Sequence, residues 1–117
     1  MRKSALALAM VATLLTSQGA LALTVSWVSL TNPVHRGDYA TATVRTRPGA
    51  RCDIDVIYKS GESTAAGLGN KTVGSTGRVS WRWKVGTNTT PGYWPVRVTC
   101  RKNGASDTVS RKLHVIR

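Results

Sequence analysis

From Thr24 onward, apolar and polar residues alternate with a period of two, in short runs broken by Pro, Gly and Asn. Residues i and i+2 of a strand share a face, so this alternation predicts half-buried strands. No run follows the 3.6-residue period of an amphipathic helix. Residues 24–30 form the first predicted strand, and a turn holding Pro33 and Gly37 follows. Over 39–47, Ala40, Ala42 and Val44 face inward, while Thr41, Thr43, Arg45 and Arg47 face outward. Pro48-Gly49 marks the next turn. Over 52–58, Cys52, Ile54 and Val56 face inward, and Asp53, Asp55 and Ile57 outward. The polar, glycine-rich stretch 59–77 has room for at most one short edge strand, near 71–73. Over 93–101, Trp94, Val96, Val98 and Cys100 face inward; Pro95 calls for an unpaired position near the strand start. Asn103-Gly104 is a hairpin signal, and the last strand points Leu113 and Val115 inward.

About seven strands with frequent turns predict an all-β fold, a two-sheet sandwich of immunoglobulin type, with a small barrel as the alternative. The segment "RVSWRWKVG" at 78–86 tests how far alternation can be read. Two tryptophans among cations resemble a binding platform for a sugar or a base. Such a platform needs ring and cation on one face. Alternation instead puts Trp81 and Trp83 with Val79 and Val85, and turns Arg82 and Lys84 the other way. Without phenylalanine, Trp81, Trp83 and Trp94 must supply most of the large core side chains. If the strands from Tyr39 and Arg78 pair, then Arg45, Arg47, Arg82 and Lys84 form a basic patch on the wet side of their sheet. The other sheet's wet face mixes Asp53 and Asp55 with Arg97, Arg101 and Lys112, which predicts cross-strand ion pairs rather than a catalytic carboxylate pair.

The first 22 residues read differently. Arg2 and Lys3 precede an apolar stretch over 5–15, and Ala20-Leu21-Ala22 is an A-x-A cleavage pattern. This is the pattern of a secretory signal peptide, leaving 23–117 as a single domain. The apolar run is too short to span a membrane. Removing Arg2 and Lys3 from a net charge of +12 leaves +10. Such a charge attracts polyanions and anionic surfaces in a salt-dependent way. In an exported chain, the pair Cys52 and Cys100 favours one disulfide. Two thiols, with His35 and His114 far apart, give no zinc-ligand spacing, so no metal or other cofactor is expected. The serines have no histidine near them in the pattern, and there is no Walker loop, nucleophile elbow or H-E-x-x-H, so no catalytic residues are assigned. Asn70-Lys71-Thr72 and Asn88-Thr89-Thr90 match the N-glycosylation pattern, which matters only in a host that glycosylates exported chains.

"PGARCDIDVIYKSG", "GRVSWRWKVG" and "PGYWPVRVTC" together resemble a bacterial extracytoplasmic immunoglobulin-like domain. The resemblance runs from Pro48 to Cys100 and includes both cysteines. It implies a β-sandwich with a Cys52–Cys100 bridge and bacterial export to the periplasm or cell surface. It assigns no ligand and no functional residues. The chain departs from the pattern in being unusually basic.

Two functions follow as expectations. One is a non-catalytic binding or adhesion module whose partner is a protein or a cell-envelope polymer. Its contacts would lie in the end loops "SGESTAAGLG" and "GTNTTPGY". The other is a cationic effector that binds anionic envelope polymers, membranes or extracellular nucleic acid through Arg45, Arg47, Arg82 and Lys84. Free edge strands offer a further route, by strand addition.

Overall fold

The computed structural model describes residues 22–117 and contains strands and turns without helix there. The expected signal peptide, except for Ala22, lies outside the described residues. The strands are β1 (Ser26–Leu30), β2 (Val34–His35), β3 (Tyr39–Arg45), β4 (Arg51–Tyr58), β5 (Gly61–Glu62), β6 (Lys71–Thr72), β7 (Arg78–Lys84), β8 (Gly92–Lys102) and β9 (Ala105–Ile116). One sheet has the order β1-β3-β7; the other has β2-β9-β8-β4-β5, with β6 also paired to β4. An immunoglobulin sandwich sets its first, second and fifth strands against its third, sixth and seventh. The long strands β1, β3 and β7 against β4, β8 and β9 reproduce that order, so the fold is an immunoglobulin-like sandwich.

The period-two reading holds along the long strands. Ala40, Ala42 and Val44 on β3 are buried, as are Val79, Trp81 and Trp83 on β7. Register explains the alanines. Ala42 lies opposite Trp81 and Ala40 opposite Trp83, so a small side chain leaves room beside each indole. Both indoles are fully buried, and both N–H groups are used. Trp81 Nε1 donates to the Gly69 carbonyl at 2.8 Å, and Trp83 Nε1 to the Tyr58 hydroxyl at 3.1 Å. Trp27 Nε1 is buried and has no partner among the described residues.

Cys52 and Cys100 are joined, with Cα atoms 4.1 Å apart. They are direct register partners on β4 and β8, so the bridge ties neighbours within one sheet. The largest side chains between the sheets are Trp81 and Trp83, packed with Leu113 and buried valines.

Several details depart from the sequence reading. The turn after β1 contains β2, which runs parallel to β9. The glycine-rich stretch holds two short strands, β5 and β6, rather than one. Trp94 is only half-buried, because it lies at the sandwich end, where its N–H donates to the Thr90 carbonyl at 2.8 Å. Pro95 is in register with Lys112, just past the last β4–β8 pair at Val56–Val96. Its missing N–H costs least where pairing on the β4 side has ended.

The outer edge of β7 is covered. A Cβ added at Gly67, whose φ is +98°, would fall on the Arg82 carbonyl oxygen. Lys71 reaches from β6 to donate to the Ser80 carbonyl at 2.6 Å. Only glycine permits both this φ and this approach.

Candidate functional site

Three surfaces hold polar chemistry. The first is the outer face of the β1-β3-β7 sheet, where four register pairs form successive rows. They are Arg45–Arg78, Thr43–Ser80, Thr41–Arg82 and Tyr39–Lys84. Arg45, Arg82 and Lys84 therefore share this face, as expected. Arg47 lies two residues beyond the last register pair, Arg45–Arg78. Thr46 points inward in step with Ala40, Ala42 and Val44, and its hydroxyl donates to the Thr24 carbonyl at 2.8 Å. The Arg47 guanidinium is exposed and donates to the Ala22 carbonyl at 2.7 Å. Arg78 belongs to the face, and the alternation that placed Arg82 and Lys84 outward already implied it. The Arg82 guanidinium lies 4.0 Å from the centre of the Tyr39 ring, a cation–π contact on a half-exposed tyrosine.

Acidic residues are absent from the strands of the β1-β3-β7 sheet. The chain's five acids are Asp38, Asp53, Asp55, Glu62 and Asp107. Among the described residues the single ion pair within 4.0 Å joins Arg101 to Asp53, on the opposite sheet. Arg45 and Arg78 thus face each other with no carboxylate in salt-bridge range.

The second surface is the outer face around β4, β8 and β9. Asp53 meets Arg101 at 3.0 Å, an exposed pair. Asp55 is in register with Arg97. It also hydrogen-bonds Glu62 of β5, which raises the Glu62 carboxyl above its ordinary range, and its charge adds to the shift; Arg97 opposes it. A carboxyl with a raised folded-state pKa binds its proton more tightly in the folded chain than in the unfolded one. Stability then falls as pH rises through that raised pKa. Glu62→Gln is therefore expected to raise Tm slightly at neutral pH. The gain should vanish below the ordinary carboxylate range, where Glu62 is protonated in both states. A gain that persists or grows in acid would contradict the Asp55–Glu62 coupling. Farther along this face, Tyr93 is 62% exposed and stacks on His114 with centroids 4.2 Å apart.

The third surface is an open cleft of about 370 Å³ at one sandwich end, between Tyr58-Lys59-Ser60 and Asn88-Thr89-Thr90. Burial pushes the Tyr58 hydroxyl above the ordinary phenol range, partly offset by the N–H it accepts from Trp83. Tyr58 therefore presents a neutral hydroxyl. Among the described residues no group of three or more His, Cys, Asp or Glu could hold a metal ion, and no helix is long and apolar enough to cross a membrane.

No family model and no curated relative matches the chain. Among solved structures, it is similar to a crystal structure of a complex of titin M10 with a mutant obscurin-like 1 immunoglobulin domain. The identity is 11%, over 79% of this chain and 92% of the other, with a TM-score of 0.48. The fold assignment rests on this chain's own strand order and register.

Proposed function

We propose that this chain is an exported, non-catalytic binding module, and that it holds an anionic partner on the outer face of the β1-β3-β7 sheet. The observation that carries this reading is the Arg45–Arg78 register pair. Like charges directly opposite on neighbouring strands are destabilising. Here they stand on a face with no carboxylate among its strands. A bound anion relieves that repulsion, and a guanidinium fork suits phosphate, sulfate or carboxylate oxygens. Export is supported by the Cys52–Cys100 bridge, which persists in oxidising compartments. The proposed setting is the bacterial periplasm or cell surface, after removal of the leader near Ala22.

Retention on immobilised DNA and on heparin across a salt series tests this reading. The unaltered protein is expected to elute well above physiological ionic strength. Arg45→Glu with Arg82→Glu should shift elution to low salt, a loss on the order of a hundredfold in affinity for two reversed contacts. Arg97→Glu with Arg111→Glu, on the opposite sheet, should change it far less. Unchanged retention in the first pair would end the proposal.

The cleft between Tyr58 and Thr90 supports a second reading, in which a protein or a neutral envelope polymer is held at the sandwich end. Thr89→Arg, which would fill the cleft, should then abolish binding while leaving salt-dependent retention intact.

A further inference from the structure

The basic face has a repeat as well as a sign, and this inference rests on the anion-binding reading above. Along β7 the outward positions are 78, 80, 82 and 84. Three are cationic: Arg78, Arg82 and Lys84. The fourth is Ser80, and Lys71 fills that gap. Its ammonium crosses from the opposite sheet to the Ser80 carbonyl, at 2.6 Å. Three of the four outward levels of β7 therefore carry a cation on the face, and at the Ser80 level the positive charge lies at the strand's outer edge, against the backbone carbonyl. Successive levels are about 6.8 Å apart, and the row is about 20 Å long. Between its ends the face is low except for Arg82, which leans over Tyr39. Thr41, Thr43 and Ser80 have short hydroxyl side chains, with the last two hydrogen-bonded to each other at 2.7 Å. The long side chains of the Arg45–Arg78 and Tyr39–Lys84 pairs rise at either end.

We infer that the partner is a linear phosphodiester polymer lying lengthwise along β7. Two residues of an extended strand contain the same number of backbone bonds as one repeat of an extended nucleic acid or glycerol phosphate chain. Charge then meets charge, level by level. A uronate glycan carries its charges on rigid rings at the wider spacing of a disaccharide. Nucleic acid and polyol phosphate share the required chemistry.

The experiment measures binding of fluorescent oligothymidylate, poly(glycerol phosphate) and hyaluronate, matched in total charge, across a salt series. Both phosphodiester polymers are expected to bind. Log affinity should fall with log salt at a slope of about −3, for four contacts at about 0.7 each. Lys71→Gln should reduce that slope by about 0.7, and Lys71→Arg should restore it. Unchanged near-ultraviolet dichroism of the buried tryptophans shows that each variant is folded. Tighter oligothymidylate binding assigns the polymer to nucleic acid, and tighter poly(glycerol phosphate) binding to an envelope polymer; either supports the track. Equal or stronger hyaluronate binding overturns the phosphodiester assignment. A slope unmoved by Lys71→Gln, with binding still lost in the Arg45 and Arg82 reversal, overturns the track but keeps an anion site. No binding to any of the three, or to heparin, removes the anion-binding reading itself.

Discussion

Replacing both Cys52 and Cys100 by alanine is expected to lower unfolding stability by about 4 kcal/mol. The bridge spans 48 residues, and closing a loop of that length restricts the unfolded chain by about this amount. A domain of this size has only about 5–14 kcal/mol in total. The variant should therefore have a urea midpoint lowered by about a quarter or more, and at the lower end of that range it lies near the edge of folding. Both sulfurs belong to fully buried residues, so the alanines also leave a small void between β4 and β8. Urea unfolding of the bridged and alanine forms, followed by tryptophan fluorescence, measures the difference. A loss under about 1 kcal/mol would mean that the β4–β8 register is held by the strands alone, contrary to the entropy argument.

The second large effect is expected from Trp81→Ala, at about 3–5 kcal/mol. Trp81 is fully buried opposite Ala42, whose methyl group is too small to fill the space an indole leaves. The substitution also removes the N–H that holds the Gly69 carbonyl. Amide exchange should therefore accelerate over residues 67–71 as well as in the core. Trp81→Phe separates the two contributions. It keeps much of the apolar volume and loses the hydrogen bond, so it should loosen 67–71 at a smaller global cost. Iodide quenching of Trp81 in the folded protein, if efficient, would contradict its place in the core.

Alternation made the long strands and their faces legible. It separated Trp81 and Trp83 from Arg82 and Lys84, which are indeed inside and outside respectively. It could not reveal β2 or β5, since two residues carry no period, while the short edge strand allowed near 71–73 is β6. Period two runs on past the last paired position of β3, with Thr46 buried and Arg47 exposed, but the Arg47 contact with the Ala22 carbonyl is beyond any local pattern. Asp55 finds Glu62 because the turn at Lys59-Ser60 folds β5 back against β4, a closure that no local pattern expresses. Lys71 is the furthest from sequence. It pairs with Cys52 in one sheet, and its ammonium works at the edge of the other, so its role exists only once the sandwich has closed.

The segment laid against β7 has a consequence for solubility. A seven-residue strand with a bare edge offers its unpaired amides as a template for another chain, and stacked copies lead towards fibrils. Here Gly67 and Lys71 occupy that edge. The strand at the other end of the sheet, β1, is broken by a bulge between Trp27 and Ser29. The opposite sheet finishes in two-residue strands at both ends. Gly67→Ala, by forcing the segment away, would uncover backbone on the most regular strand of the sheet. Gly67→Ala is therefore expected to promote self-association at high protein concentration, read as a rise in apparent mass by light scattering.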